Sequence, residues 1–446
     1  MKDLTEGKEA KLIFNFAVPM LLGNVFQQLY NMVDSAIVGN FIGKEALAAV
    51  GASFPIVFTL ISLIIGIATG AMVVISQYFG AKDIEKVKRM IETFYIFVFF
   101  ASIVITATGL IFSEEIFRLM QLPEEIMPQA LTYLNIYMLG MISFFGFNGT
   151  SAILRGLGDS KTPLYFLMIS TVINIGLDLL FVVVFEWGIA GVAIATIIAQ
   201  SGAFITAVLY LNRFHEVIDI RILRMRFDRE LFRKSLNIGV PTGLQHTFVS
   251  LGMLAIMGIV NTFGTNVIAG YSVAIRLDSL AVMPAMIFSG ALATFVGQNL
   301  GANKQHRVKS GLISTILMSV TISIVVTAVM LLGGRYLMGL FTSDENVIQI
   351  GYQYLTIVSI FYVVFSIMFA INGVMRGAGD TLIPMFITLF SLWVIRIPSA
   401  YLLSQKFGAD GIWWAVPLGM ITGMILSYFY YLTGRYKRKV VIQHAP

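Results

Sequence analysis

Uncharged, apolar runs long enough to cross a membrane recur along the whole chain. Examples run from residue 94 to 112, from 189 to 212 and from 310 to 334. A helix needs about 20 residues to cross roughly 30 Å of hydrocarbon. A backbone in lipid must satisfy its own hydrogen bonds, and these runs are too long and too weakly alternating for the strands of a barrel. The sequence therefore predicts an all-α polytopic membrane protein.

Twelve such spans follow one another along the chain, six before residue 213 and six after residue 234. Because 57% of the residues are hydrophobic and only 12% are charged, lipid is the expected solvent for most of the chain. The predicted transmembrane helices cover residues 12–38, 46–77, 91–112, 128–152, 162–185, 189–212, 236–262, 267–296, 310–334, 349–373, 383–404 and 410–434.

Lys and Arg are distributed unevenly between the loops, and this bias predicts the orientation. With both termini in the cytoplasm, 24 of these residues fall in cytoplasmic segments and only Lys44, Arg118, Arg335 and Lys406 lie outside. The most basic segment, 213–234, joins spans six and seven, and we expect it at the anionic head groups of membrane lipids. The pattern predicts a multi-pass protein of the bacterial inner (plasma) membrane.

An internal repeat divides the chain. The pattern Gln-x-x-Gly-Ala at 77–81 recurs at 298–302, and Arg-Gly-x-Gly-Asp at 155–159 recurs at 376–380, both at an offset of 221 residues. Each half holds six spans, an even number, so the repeats are parallel and related by an axis along the membrane normal. We expect two six-helix lobes with pseudo-two-fold symmetry, joined by a cytoplasmic linker, with boundaries at 1–212, 213–234 and 235–446.

Two carboxylates lie deep inside predicted spans of the first half, where each ionisable group costs about 2.5–3.5 kcal/mol and needs a partner or a function. Asp34 is the only charge in the first span, and Asp178 the only one in the fifth. Asn174 is four residues before Asp178, so both lie on one helix face. With a hydroxyl from Thr196, these oxygens predict a site for sodium or for proton exchange.

The alternative is that both carboxylates hydrogen-bond neighbouring groups and only tie helices together. A related question concerns Pro19, which lies in the first span fifteen residues before Asp34. Proline removes a backbone hydrogen bond and permits a kink. We expect Pro19 to act as a conformational hinge, with a passive packing kink as the alternative.

Four further residues are candidates for lining a cavity in the second lobe. Arg276 and Arg396 lie inside predicted spans, and Arg396 has no acid in its own span. They either contact substrate, form structural pairs, or extend their side chains to the interface. Met283 and Met286 belong to a stretch that would form an adaptable apolar wall, the alternative being contact with lipid.

Motifs for enzymes and ATP-driven pumps are absent from the sequence. The strings H-E-x-x-H, G-x-S-x-G and G-x-x-x-x-G-K-[ST] do not occur, and the chain has four His and no Cys. No pattern of basic and aromatic residues indicates nucleic-acid binding. We therefore expect no enzymatic activity and no cofactor, with Na⁺ or H⁺ as the coupling ion and an ion gradient as the energy source.

The sequence Gln-Gln-Leu-Tyr-Asn-Met-Val-Asp at 27–34, the two doubled elements and the twelve spans together resemble the multidrug and toxic compound extrusion (MATE) family. The resemblance covers nearly the whole chain. It implies antiport of small, cationic or amphipathic, drug-like compounds against sodium or protons. It further implies alternating access, by rocking of two lobes around a central cavity.

Carried over position by position, the cation site of the family falls on Asp34, Asn174, Asp178 and Thr196. The bending proline of the family falls on Pro19. Of these residues, Asp34 and Asp178 are also selected by the rarity of intramembrane charge.

The second lobe departs from the pattern of some relatives. Where these carry an acidic residue in the seventh helix, this chain has Gln245, which becomes a further candidate for lining the cavity. The repeat equivalents of Asn174 and Asp178 are Ile395 and Ser399. We therefore expect a cation site in the first lobe alone.

Two other functions remain open. A lipid-linked oligosaccharide flippase of the same superfamily commonly adds helices and lines its cavity with several basic residues, of which only Arg276 and Arg396 are found here. A non-transport protein, such as an intramembrane enzyme or a scaffold, would carry a catalytic constellation or a large soluble domain. Our expectation is a monomeric exporter.

Overall fold

The computed structural model describes residues 3–214 and 225–442. Within these ranges the regular structure is entirely helical. The helices of the first half are α1 Glu9–Ile37, α2 Lys44–Gly80, α3 Ile84–Leu119, α4 Met127–Leu139, α5 Met141–Gly156, α6 Lys161–Leu179 and α7 Gly188–Phe214. Those of the second half are α8 Arg229–Val260, α9 Thr265–Gly301, α10 Gln305–Gly339, α11 Glu345–Ser359, α12 Tyr362–Ala378, α13 Leu382–Leu389, α14 Ile397–Phe407 and α15 Ala409–Leu432.

Three of the spans contain a stretch of π-helix, in which each N–H bonds the carbonyl five residues back. These stretches are Val38–Ile42 after α1, Leu180–Val184 after α6 and Phe390–Arg396 between α13 and α14. In the described residues ten helices, counted with these stretches, are long and apolar enough to cross a membrane. The number becomes twelve when the bent pairs α4–α5 and α11–α12 each count as one span. The prediction of an all-α polytopic membrane protein is confirmed.

The two bent spans were predicted as continuous helices, and the bends have a common physical basis. The bend is 53° between α4 and α5 and 52° between α11 and α12. A break in a helix leaves carbonyl groups without partners, which is costly in lipid. The Thr106 hydroxyl donates to the Met138 carbonyl (2.8 Å), and the Thr327 hydroxyl donates to the Ser359 carbonyl (2.6 Å). Both pairs are related by the 221-residue offset, so each half solves the problem in the same way.

The described chain packs as two compact units. The first contains Val18–Val240, and the second contains Leu4–Ala17 and Pro241–Pro446. The predicted lobes, 1–212 and 235–446, differ from these units in two places. The start of α1 packs with the second unit, and the start of α8 packs with the first. Residues 215–224 of the predicted linker lie outside the described residues.

Hydrogen bonds explain why the N-terminal segment belongs to the second unit. The Leu4 N–H donates to Gln298 Oε1 (3.0 Å), and Asn299 Nδ2 donates to the Leu4 carbonyl (3.1 Å). Arg307 forms an ion pair with Glu9 (3.2 Å). Gln298 and Asn299 are the first two residues of the second Gln-x-x-Gly-Ala element. This motif and the following Arg307 therefore bind the segment at the start of α1.

The first copy of the motif makes a comparable contact within the first unit. Lys234 Nζ donates to the Tyr78 hydroxyl (3.1 Å), where Tyr78 is the second residue of the first Gln-x-x-Gly-Ala element. The Asp228 N–H donates to the Thr93 hydroxyl (2.9 Å). Each copy of the motif therefore holds the start of the first helix of the other half of the sequence.

Two glycines allow α2 and α8 to pack closely in the first unit. A Cβ atom on Gly239 would lie 2.5 Å from Ile67 Cα, and a Cβ atom on Gly70 would lie 2.2 Å from the Ser235 carbonyl oxygen. Small residues at such crossings let helix backbones approach, which is a main source of helix association in membranes. The close approach therefore depends on these glycines.

We expect Gly239→Val to lower the free energy of unfolding by about 1–3 kcal/mol, because the new side chain forces α8 away from α2. The measurement is thermal or denaturant unfolding of the purified protein in detergent. Gly258→Val is the matched control, since Gly258 is in the same helix and has no atom within 4 Å of its would-be Cβ. Equal destabilisation by both substitutions would contradict a specific helix contact at Gly239.

Candidate functional site

The two intramembrane carboxylates of the first half meet in the first unit. Asp34 lies in the last turns of α1, and Asp178 lies at the end of α6. Each is followed closely by a π-helical stretch, a feature that often occurs at functional sites. The relative exposure of Asp34 is 9% and that of Asp178 is 0%. The two carboxyl groups are close enough to interact electrostatically.

Such a pair has a specific electrostatic consequence. Two ionised carboxylates near each other in a buried site repel each other, so a shared proton or a bound cation stabilises the pair. Asp34 Oδ1 and both carboxylate oxygens of Asp178 are buried without a hydrogen-bond partner. Buried polar atoms of this kind call for an additional partner, and a small cation or a proton satisfies them.

Asn174 lies one helical turn before Asp178 on α6, and Thr196 on α7 contacts Tyr30 of α1. Both are buried, and neither the amide oxygen nor the amide nitrogen of Asn174 has a partner. Together with Tyr30 and Gln200 they line a cavity of about 10 Å³, room for roughly one water-sized particle, and the lining of this cavity does not include Asp34 or Asp178. The Tyr30 and Thr196 hydroxyls are 3.2 Å apart. Carboxylate, amide and hydroxyl oxygens are ligands suited to a hard cation.

Three tyrosines that the sequence analysis missed surround the carboxylates. Tyr30, Tyr133 and Tyr137 are all close enough to interact electrostatically with Asp34. Tyr30 lies one helical turn before Asp34, a spacing that would have revealed it. Tyr133 and Tyr137 come from α4, and only the tertiary structure brings them to the site.

Pro19 is buried inside α1 and lies next to the boundary of the two units. The boundary falls between Ala17 and Val18, so α1 begins in the second unit and carries Asp34 in the first. Proline lacks a backbone N–H, so one intrahelical hydrogen bond of α1 is missing at Pro19. A hinge at Pro19 stays a prediction.

The candidates for cavity lining in the second lobe have separate environments within the second unit. Gln245 donates to a threonine hydroxyl on α13 at 2.6 Å. Arg276 and Met286 are exposed, and Met283 is half-buried. Arg396 is half-buried, and its Nε atom has no hydrogen-bond partner. Contact of these residues with a substrate stays a prediction.

Comparison with known proteins places the chain among membrane transporters. A family model described as MatE matches residues 19–180 and again residues 241–402. A probable multidrug resistance protein of Bacillus subtilis (strain 168), YpnP, is 35% identical over 436 residues, which cover 98% of this chain and 97% of the relative. A second from the same organism, YoeA, is 34% identical over 425 residues, with coverage of 93% and 92%.

The fold matches that of a solved structure described as the outward-facing conformation of a multidrug resistance MATE family transporter of the MOP superfamily. The TM-score is 0.91 at 24% identity, and the match covers 98% of this chain and 99% of the other. At this identity the likeness concerns the fold alone. The doubled family match, which spans both halves of the chain, and the identity to YpnP over nearly the full length of both proteins show that this chain belongs to the MatE family of multidrug and toxic compound extrusion transporters.

Proposed function

We propose that this protein exports small organic compounds, cationic or amphipathic in character, in exchange for inward-moving sodium or protons. The observation that carries the proposal is the buried Asp34–Asp178 pair, whose unpartnered oxygens require a cation or a proton. The names of the relatives, which refer to multidrug resistance, support the class of substrate. Family membership supports transport itself.

The mechanism follows from the electrostatics of the pair. With a cation or proton bound, Asp34 and Asp178 remain together; without one, their charges repel and a different arrangement of α1 and α6 becomes more stable. Because α1 continues past Pro19 into the second unit, a change at Asp34 is transmitted along a single helix. Alternating access requires that substrate and ion favour different conformations of the protein. In this proposal, α1 is the element that couples the two binding events.

We also propose that the protein acts as a monomer in the bacterial inner membrane with both termini in the cytoplasm. The uneven distribution of Lys and Arg supports this orientation. The exposed basic residues Lys437, Arg438 and Lys439 follow the last span and suit anionic lipid head groups.

We expect purified protein in liposomes to export ethidium when a sodium or a proton gradient is imposed, and the effective gradient identifies the coupling ion. Asp34→Asn removes one of the two charges that require an ion, so the gradient-driven efflux should be lost while membrane insertion is retained. Efflux is followed by dye fluorescence.

Gln245→Ala is the control for this experiment, because Gln245 bonds only a neighbouring helix, and it should reduce efflux much less. Gradient-driven efflux by Asp34→Asn equal to that of the parent would contradict the assignment of the site. Movement of labelled lipid instead of dye would favour the flippase.

We expect Asp178→Asn to weaken binding of the coupling ion by about tenfold or more, equivalent to about 1.4 kcal/mol, because a central oxygen ligand loses its charge. Binding is measured by calorimetry for sodium, and by proton release for protons, with protein in detergent. Glu124→Gln serves as control, since Glu124 is exposed in the segment between α3 and α4. Unchanged binding in Asp178→Asn would remove Asp178 from the site.

The orientation is tested with single cysteines, since the chain has none of its own. A membrane-impermeant maleimide should label Glu124→Cys in intact cells, because this residue lies between spans three and four, on the outer side. It should label Lys437→Cys only after permeabilisation, because this residue follows the last span. The reverse pattern would invert the proposed topology.

A further inference from the structure

The small cavity of the first unit is surrounded by polar side chains that the protein satisfies only in part. Residues of α1, α6 and α7 line it, and its volume of about 10 Å³ is the space of one water molecule. The polar side chains around it include those of Tyr30, Asn174, Thr196 and Gln200. Because neither acid of the coupling-ion site lines it, the cavity is distinct from the space between the two carboxyl groups.

Two amides line this cavity, and three of their polar atoms have no partner in the described residues. Asn174 is 1% exposed, and its Nδ2 and Oδ1 atoms are both buried without a hydrogen bond. The Oε1 atom of Gln200 is buried in the same condition. An unsatisfied buried polar atom is costly, and native proteins satisfy nearly all such atoms with protein groups or ordered water.

The hydroxyl groups of the lining cannot satisfy these amides by themselves. The Ser170 and Thr171 hydroxyls donate to main-chain carbonyls at 3.0 and 2.9 Å, so neither has a further proton to give. The Tyr30 and Thr196 hydroxyls share one hydrogen bond of 3.2 Å, which leaves oxygen lone pairs free to accept another. The cavity therefore offers one amide donor, and acceptors on the other amide and on the hydroxyl pair.

This polar set belongs to the first half of the sequence alone. At the offset of 221 residues, apolar residues take the place of all its members. The equivalents of Tyr30, Asn174, Thr196 and Gln200 are Leu251, Ile395, Pro417 and Ile421. The four polar residues are thus present together in the half that carries the two acids and absent together from the other half, as expected if they serve one purpose.

We propose that this cavity is the site of one resident water molecule, which Gln200 holds against Asn174. A buried water molecule typically makes about three hydrogen bonds. Its oxygen accepts from Asn174 Nδ2, and its protons go to Gln200 Oε1 and to the Tyr30–Thr196 hydroxyl pair. A bare cation suits the cavity less well, because no carboxylate lines it and an amide N–H cannot bind a cation.

The water molecule determines which way the Asn174 amide is turned. Because Nδ2 donates to the water, Oδ1 is free to bind the coupling ion next to Asp178, one helical turn away. An amide turned the other way would present N–H protons, which repel a cation. Gln200 is therefore a positioning residue that acts through the water and Asn174. This role rests on the proposed function, since it assumes an ion at the two carboxylates.

The water molecule is tested by crystallography of the parent, in buffers with and without sodium, at a resolution that shows ordered water. We expect one peak at about 2.7–3.2 Å from both amides in each buffer. Gln200→Met keeps the length of the side chain and lacks the amide, so the peak should disappear. A cavity without density in the parent would overturn the proposal, and so would a sodium-dependent peak at metal–ligand distances of about 2.3–2.6 Å.

The positioning role is tested by the ion dependence of efflux. Gln200→Met should raise the coupling-ion concentration for half-maximal efflux about fivefold, the effect of one lost hydrogen bond, and should retain the maximal rate. Gln129→Met is the matched control, because Gln129 Oε1 is also buried without a partner but lies on α4, outside the cavity. This control should keep the ion dependence of the parent. Equal shifts in the two variants would contradict a role specific to the cavity.

A double variant distinguishes positioning from a packing effect of Gln200. Asn174→Ala removes the amide through which Gln200 acts, so Gln200→Met should add no further shift in that background. Additive shifts would show that the two residues act independently and would overturn the positioning role. If the parent itself shows no ion-dependent efflux, it is the proposed function that fails. The crystallographic measurement needs no transport, and it then still decides whether the cavity holds a resident water molecule.

Discussion

The electrostatic interaction between two buried carboxyl groups is the constraint on which the candidate site depends. Asp34 and Asp178 cannot both remain ionised in contact unless a positive charge joins them. The surroundings match this need, because Asn174 and Thr196 add oxygens and tyrosines screen the site. In the proposed mechanism the pair changes its preferred geometry with ion occupancy, and α1 and α6, which carry it, are the helices that move.

The two halves of the chain share one helical framework but carry different intramembrane ionisable groups. Both bend the fourth of their six spans, and both use a threonine hydroxyl to satisfy the broken backbone. Both use a Gln-x-x-Gly-Ala element to hold an incoming helix. The ionisable groups, by contrast, occupy different positions in each half. Duplication of a helical framework leaves such positions free to diverge, because backbone hydrogen bonds constrain the framework and not the charge.

Sequence reasoning succeeded where the physical constraint is local. The spans follow from hydropathy, and Asp34 and Asp178 stand out because charges are rare in lipid. It missed features that depend on contacts distant in sequence. The bend at Ser359 is stabilised by Thr327 on another helix, and the Leu4 segment bonds residues almost 300 positions away.

Each unit contains the start of a helix that continues in the other unit, and this arrangement has a consequence for biosynthesis. The first unit includes the start of α8, so it cannot be complete until the ribosome has passed residue 240. The second unit needs Leu4–Ala17, which are made before any other part of it. The N-terminal segment must therefore wait through the synthesis of the whole first half before its binding partners appear. Each unit therefore contains residues from both halves of the chain, and its contacts are complete only after synthesis has entered the second half.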